Sequence, residues 1–208
     1  MRLVLASNNA KKLIELQHLL GAGAVELVAQ GALGIAEAEE PHLTFVENAL
    51  AKARHAARQS GLPAIADDSG LCAEALSGAP GVPSAVYAGA VTVDGDRETR
   101  RAAQDAANNA LLLERMQGVS DRRVRFVCTL VALRHVDDPE PLISAGRWDA
   151  TLLTAPRGSS GFGYDPLFWL DALGASAAEL RPEQRNRISH RALAAAQMRV
   201  LMCEAWGI

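Results

Sequence analysis

The chain has 208 residues, of which 49% are hydrophobic, and its formal net charge is −3. This length suits one domain spanning residues 1–208 with a sizeable core. The composition excludes a disordered chain and a broadly basic nucleic-acid-binding protein. No apolar run approaches the roughly 20 residues of a membrane-spanning helix. We therefore expect neither nucleic acid nor a membrane as a partner.

The cysteines and the N-terminus indicate the cellular compartment. Cys72, Cys128 and Cys203 lie far apart in apolar surroundings, and no two of them have metal-ligand spacing. The chain begins with a strand-like run rather than a signal peptide. Together these features predict a cytoplasmic protein whose cysteines are reduced and lie in the core.

The first elements in chain order form a strand, a polar loop and a helix. Leu3–Ala6 is apolar, Ser7-Asn8-Asn9 follows, and leucines with helical spacing predict a helix over Lys11–Leu20. The first turn of a helix exposes unpaired N–H groups and the positive end of its dipole, so it can bind an anion. Lys12 lies in that turn, where a cation is favourable if an anion lies between it and the dipole. The alternative is an ordinary helix start.

A second strand is predicted over Val25–Ala29, and the loop after it carries three acidic residues, Glu37, Glu39 and Glu40. A capping box at Thr44 and Glu47 then predicts a helix that ends at Ser60. Lys52 lies within the apolar stripe of this helix. It either extends its ammonium group to the surface or directs it into a cleft. We favour the cleft, beside the carboxylates that follow.

The apolar run Ala64–Ala66 predicts a buried strand, and Asp67-Asp68-Ser69-Gly70 follows at its end. Adjacent carboxylates can hold a hard cation, although Asp-Asp-Ser-Gly is also a common turn sequence. Gly70 allows a turn with positive φ or the close approach of a ligand. Because neighbouring strand residues point to opposite faces, only one of the two aspartates should face a given cleft.

The second half of the chain has further regular elements. The patterns predict a helix over Arg97–Met116, a central strand over Val124–Leu133 and an antiparallel hairpin partner over Leu142–Leu153. The glycine-rich loop 158–166 can place an aromatic ring against a flat ligand or bury that ring in the core. A last helix, over Ile188–Ala205, starts with His190 and Arg191, which suit an anion or a carbonyl oxygen.

Six of these segments, in this order and spacing, resemble the non-canonical purine nucleoside triphosphate pyrophosphatases, also called inosine/xanthosine triphosphate pyrophosphatases. They are Ser7-Asn8-Asn9-Ala10-Lys11-Lys12 with Glu15, Thr44-Phe45-Val46-Glu47-Asn48-Ala49, Ala66-Asp67-Asp68-Ser69-Gly70-Leu71, Ala79-Pro80-Gly81 with Ser84-Ala85, Gly161-Phe162-Gly163-Tyr164-Asp165-Pro166 and Ser189-His190-Arg191. The resemblance covers nearly the whole chain.

The resemblance implies an α/β fold with an elongated mixed sheet flanked by helices, and two lobes with the active-site cleft between them. It implies a homodimer that hydrolyses ITP, dITP and XTP to the monophosphate and pyrophosphate with Mg²⁺, cleansing the nucleotide pool. A pyrophosphatase for other modified nucleotides, such as pyrimidine triphosphates, and a nucleotide-binding protein without catalysis are the alternatives.

The resemblance also implies residue roles. Asp68 would be the catalytic base and, with Glu39, a Mg²⁺ ligand, although Glu40 could replace Glu39. The substrate-binding residues would be Ser7, Asn8, Asn9, Ala10, Lys11, Lys12, Lys52, Ser69, Phe162, Gly163, Tyr164, Asp165, Arg185, His190 and Arg191. Of these, Phe162 would stack on the base, and His190 with Arg191 would read its 6-oxo edge. The chain departs from the family pattern at Arg185 and Val86, where a lysine and a basic residue are usual.

Overall fold

The computed structural model describes residues 1–21 and 25–208. It contains a seven-stranded mixed sheet with five α-helices. The strands are β1 Arg2–Leu5, β2 Glu26–Ala29, β3 Ala64–Ala73, β4 Arg123–Leu133, β5 Leu142–Leu152, β6 Phe168–Leu170 and β7 Ala175–Ser176. The helices are α1 Ala10–Leu20, α2 Phe45–Ser60, α3 Arg97–Arg115, α4 Pro182–Ile188 and α5 His190–Trp206.

The strand order is β2-β1-β3-β4-β5-β6-β7. β1 pairs in parallel with both β2 and β3, whereas β6 pairs antiparallel with β5 and β7. The predicted α/β class and mixed sheet are therefore confirmed. β4 is a central strand, as its two-sided apolar pattern predicts, with β3 and β5 beside it.

The chain divides into two compact units. The first comprises residues 1–69, 128–147 and 188–208, and the second comprises 70–127 and 148–187. Each unit has its own apolar core: Leu5, Ile65 and Met198 are fully buried in the first, and Leu71, Leu112 and Phe168 in the second. The cleft between two lobes and the single domain 1–208 stay predictions.

One local prediction is wrong. Asp67-Asp68-Ser69-Gly70 is not a turn after a short strand but the middle of β3, which continues to Ala73. Gly70 does not have the positive φ that a turn would need. The two aspartates are paired with cations from neighbouring helices, and these contacts outweigh the low strand propensity of aspartate.

The cysteine prediction is partly wrong. All three thiols are free, but Cys128 alone is buried, whereas Cys72 is half-buried and Cys203 is exposed on α5. Burial raises the pKa of the Cys128 thiol to about 12, so this cysteine is protonated and chemically inert.

In the described part of the chain, no helix is long and apolar enough to cross a membrane.

The beginning of α5 packs directly on β5 within the first unit. A Cβ atom added at Gly146 would lie 2.0 Å from the carbonyl oxygen of His190 and 2.6 Å from the backbone nitrogen of Ala194. Ser144 strengthens the same contact by donating its hydroxyl to the Ala194 carbonyl at 2.9 Å. Only glycine at position 146 lets the helix approach the strand this closely. This close approach determines how near His190 and Arg191, at the start of α5, lie to β5.

Candidate active site

The polar loop and the start of α1 form as the sequence predicts. Asn9 is the N-cap of α1, and its side-chain oxygen accepts hydrogen bonds from the backbone N–H groups of Lys11 and Lys12 at 3.0 and 3.3 Å. Ser7 in turn accepts a hydrogen bond from the backbone N–H of Asn9 at 3.2 Å. Ala10 and Lys11 are exposed, and Lys12 is half-buried. The loop thus ends in a helix N-terminus with two lysines, an arrangement suited to an anion.

Asn8 has a close neighbour in the turn after β2. A Cβ atom added at Gly31 would lie 2.4 Å from the side-chain oxygen of Asn8. The turn therefore limits where the Asn8 amide can lie.

Because the strand is pleated, the two aspartates point to opposite faces and contact different cations. The Asp67 carboxylate accepts a hydrogen bond from the Lys12 ammonium at 2.9 Å, and the Asp68 carboxylate accepts one from the Lys52 ammonium at 2.9 Å. The predicted position of Lys52 beside the aspartates is confirmed, since its side chain is buried rather than extended to the surface. Glu40 lies 3.3 Å from the same ammonium group.

The electrostatics of these groups follow from burial and charge. Burial alone would lower the pKa of Lys52, but Asp68, Asp67 and Glu40 outweigh it and hold that pKa above its usual value. Burial likewise opposes ionisation of Asp67, but Lys12, Arg191 and Lys52 hold its pKa far below the usual range.

Asp68 behaves in the opposite way. Burial raises the pKa of its carboxyl group, the Lys52 ammonium offsets only part of that effect, and the negative charges of Glu40 and Asp67 add to it. Asp68 is therefore the more basic of the two carboxylates, as a proton acceptor should be.

Two residues at the start of α5 complete this cluster. Arg191 is buried, and its guanidinium donates to Glu15 at 2.9 Å and to Asp67 at 3.2 Å. It also donates to the hydroxyl of Ser69 at 3.2 Å. His190 precedes it and is half-buried.

The cluster borders a cavity of about 100 Å³ in the first unit. Its lining residues are Ala6, Ser7, Lys12, Gln30, Glu37, Ala38, Glu40, Lys52 and Asp67. The cavity therefore brings the lysines of two helices together with acidic residues of the loop before α2.

The glycine-rich loop belongs to the second unit and is held by several hydrogen bonds. Asp165 accepts hydrogen bonds from the Phe162 backbone N–H at 3.0 Å and from Arg185 at 2.5 Å. Gly163 is bound to α3 on both sides, donating to Asp105 at 2.8 Å and accepting from Asn109 at 3.0 Å.

The aromatic residues of this loop have different positions. Phe162 is half-buried, and the guanidinium carbons of Arg101 and Arg185 lie 4.7 and 4.9 Å from its ring centroid. Tyr164 is buried and donates its hydroxyl to the carbonyl of Ser84 at 2.8 Å. Phe162 is thus the more exposed of the two rings and contacts two guanidinium groups, whereas Tyr164 is part of the core.

Several participants had no assigned role in the sequence-based prediction. Asp67 was singled out only as one of two carboxylates, Glu15 only as part of a motif, and Arg101 not at all. The sequence did contain a signal for Asp67, because strand alternation places Asp67 and Ser69 on the same face of the strand. In the structure the Ser69 hydroxyl donates to the Asp67 carboxylate at 2.8 Å. No sequence pattern linked Arg101 to the loop, since the contact depends on tertiary packing of α3.

The described residues form an α/β protein in which a lysine–carboxylate cluster borders a cavity, an arrangement suited to a polyanion. Comparison with known proteins refines this class. A family model described as the Ham1 family matches residues 3–201. The chain belongs to the Ham1 family.

Two relatives and one solved structure show how close the similarity is. The dITP/XTP pyrophosphatases of Methylibium petroleiphilum and Leptothrix cholodnii are each 66% identical to the chain, and each alignment covers 99% of both sequences. A HAM1 protein from Coxiella burnetii has a TM-score of 0.88 at 42% identity, covering 99% of this chain and 100% of that one. The family resemblance predicted from the motifs is confirmed.

Proposed function

We propose that this protein hydrolyses the deaminated purine nucleoside triphosphates ITP, dITP and XTP to the monophosphate and pyrophosphate, in a Mg²⁺-dependent reaction. The observation that carries the proposal is the pair of lysine–carboxylate contacts, Lys12 with Asp67 and Lys52 with Asp68, beside the anion-binding start of α1. The names of the relatives, dITP/XTP pyrophosphatase, support the same activity.

The triphosphate is bound by the loop Ser7–Lys12 and by Lys52. A triphosphate carries roughly three to four negative charges, which must be neutralised before a nucleophile approaches. The N–H groups of the α1 N-terminus contribute partial positive charge, and the two ammonium groups contribute full charges.

The residues present fit a magnesium ion. Mg²⁺ is typically held by one or two carboxylates together with water and phosphate oxygens. One oxygen of Asp68 is buried and has no hydrogen-bond partner among the described residues, so it is available as a ligand. Glu40, which lies beside Lys52 and lines the cavity, replaces Glu39 in our proposal as the second ligand. When bound, the ion would neutralise phosphate charge and orient the triphosphate.

Asp68 activates water. Its carboxylate accepts a proton from a water molecule whose oxygen attacks the α-phosphorus, and the bond from that phosphorus to the bridging oxygen breaks. Pyrophosphate leaves with the electron pair of that bond. The Lys52 ammonium fixes the orientation of Asp68 through its contact with the other carboxylate oxygen.

The base is recognised by Phe162, His190 and Arg191. Phe162 stacks on the purine, and Gly163, Tyr164, Asp165 and Arg185 hold the loop in place. Arg191 and His190 can donate to a 6-oxo group. The 6-amino group of adenine would face these donors with another donor and leave buried groups unpaired, which disfavours ATP. The homodimer and the cytoplasmic location remain part of the proposal.

Pyrophosphate release from ITP, XTP, GTP, ATP and dUTP, measured with Mg²⁺ and with excess EDTA, tests the proposal. We expect ITP and XTP to exceed ATP in kcat/KM by at least about a hundredfold, because the 6-amino group of adenine leaves buried donors mispaired. GTP shares the 6-oxo group, so any lower turnover of GTP measures discrimination against its 2-amino group. EDTA should abolish turnover. A preference for dUTP would indicate a pyrimidine enzyme, and binding of ITP without any turnover would indicate a non-catalytic protein; either contradicts the proposal.

A further inference from the structure

Asp67 contacts two cations that are proposed to bind opposite ends of the substrate, Lys12 at the phosphate end and Arg191 at the base end. One carboxylate oxygen accepts a hydrogen bond from Lys12 on α1 at 2.9 Å. The other accepts from Ser69 on β3 at 2.8 Å and from Arg191 on α5 at 3.2 Å. A single carboxylate thus receives donors from three different elements.

The Asp67 side chain is 1% exposed, so water does not compete strongly for these contacts. The Lys12 side chain is 24% exposed and the Arg191 side chain 3%. The Lys12 side chain is therefore partly exposed to solvent although it contacts the buried Asp67 carboxylate. The Arg191 side chain is enclosed by protein. In such surroundings hydrogen bonds to a charged group are electrostatically strengthened, and they restrict the orientation of both cations.

We infer that Asp67 is a positioning residue that couples phosphate binding to base recognition. The inference rests on the proposed function, in which Lys12 contacts the triphosphate and Arg191 the base. Because both cations bind the same carboxylate, a change in the position of one alters the position of the other. The groups that bind the two ends of the nucleotide are thereby held in one geometry.

Glu15 provides a matched comparison. It holds Arg191 through a different guanidinium nitrogen, at 2.9 Å, and it is a buried carboxylate like Asp67. Glu15 accepts a hydrogen bond from Arg191, whereas Asp67 accepts hydrogen bonds from both Arg191 and Lys12. Glu15→Gln should therefore loosen the base end directly and the phosphate end only indirectly, through Arg191 and Asp67, whereas Asp67→Asn should loosen both ends directly.

The test uses two probes that each resemble one end of the substrate. Inhibition constants of tripolyphosphate and of inosine are measured against ITP hydrolysis, or dissociation constants by calorimetry if turnover is absent. We expect Asp67→Asn to weaken both probes about tenfold, the loss of one charged hydrogen bond at each end, and Glu15→Gln to weaken inosine clearly more than tripolyphosphate. Equal effects of the two variants, or an effect of Asp67→Asn on only one probe, would overturn the inference.

A second variant covers the case in which Asp67→Asn does not fold. Lys12→Met changes a partly exposed side chain that should contact phosphate and not the base. Coupling through Asp67 predicts that it weakens inosine severalfold as well as tripolyphosphate, with the urea midpoint confirming that the variant is folded. An unchanged affinity for inosine would refute the coupling. Wild-type protein that binds both probes but does not hydrolyse ITP would refute the proposed function and leave the coupling intact.

Discussion

Asp67 and Asp68 are neighbours in sequence with opposite electrostatic properties, and the strand pleat is the cause. Asp67 faces Lys12 and Arg191, which keep its pKa far below the usual range despite burial. Asp68 pairs with Lys52, but burial, together with Glu40 and Asp67, outweighs that cation and raises the pKa of Asp68. One carboxylate is thus a permanent anion that holds cations, and the other can accept a proton.

This difference makes Asp68→Asn the sharpest single-residue test. The amide keeps the size of the side chain but cannot accept a proton from water, so we expect kcat for ITP to fall about 10²–10⁴-fold. Binding of ITP in the presence of Mg²⁺ is to be measured separately by calorimetry. Asp149→Asn changes an exposed side chain of the second unit and is the control. Its kcat for ITP should equal that of the wild type. A variant at position 68 that retains wild-type kcat would show that another group activates the water.

The residue roles were only partly predictable from the sequence. Lys12 and Lys52 stood out because one lies in the first turn of a helix and the other within an apolar stripe, and the structure places both beside the aspartates. The partners of Arg191 were not predictable, because Glu15, Asp67 and Ser69 come from distant parts of the chain. The sequence also provided no basis for choosing between Glu39 and Glu40, since a loop has no periodicity that would assign a face.

At the scale of elements, long periodic segments were predicted well. α1 and α2 end at Leu20 and Ser60 as their apolar stripes and following glycines indicate. The helix α4 was missed because seven residues without an apolar stripe give no helical signal. β3 was predicted too short, because aspartate, serine and glycine are typical of turns and the ion pairs that stabilise them in a strand are not visible locally.

The contact between β5 and α5 gives a prediction at this scale. Gly146→Ala places a methyl group against backbone atoms of His190 and Ala194, which cannot rotate away. We expect the free energy of unfolding to fall by about 1–3 kcal/mol, as for other overpacked sites. Urea denaturation measures the change.

Ala145→Ser is the matched control, because it adds one heavy atom at the neighbouring position, whose side chain is exposed. It should change the free energy of unfolding by less than about 0.5 kcal/mol. If both variants unfold at the wild-type urea concentration, α5 does not depend on the close approach that Gly146 allows.

At the scale of the whole molecule, the chain builds two units, each with its own core, and β3, β4 and β5 contribute residues to both. The cluster of Lys12, Lys52, Asp67 and Asp68 belongs to the first unit, and the Phe162 loop to the second. The fold class and the family were predictable because six motifs in fixed order identify them. That the two sets of residues act on one nucleotide remains part of the proposed function.

The position of bond cleavage tests the central claim most directly. ITP is hydrolysed in water enriched in ¹⁸O, and the products are analysed by mass spectrometry. Attack by an Asp68-activated water on the α-phosphorus predicts one ¹⁸O atom in IMP and none in pyrophosphate. Label in pyrophosphate, or the formation of IDP with labelled inorganic phosphate, would mean that water attacks the β- or γ-phosphorus and would contradict the account.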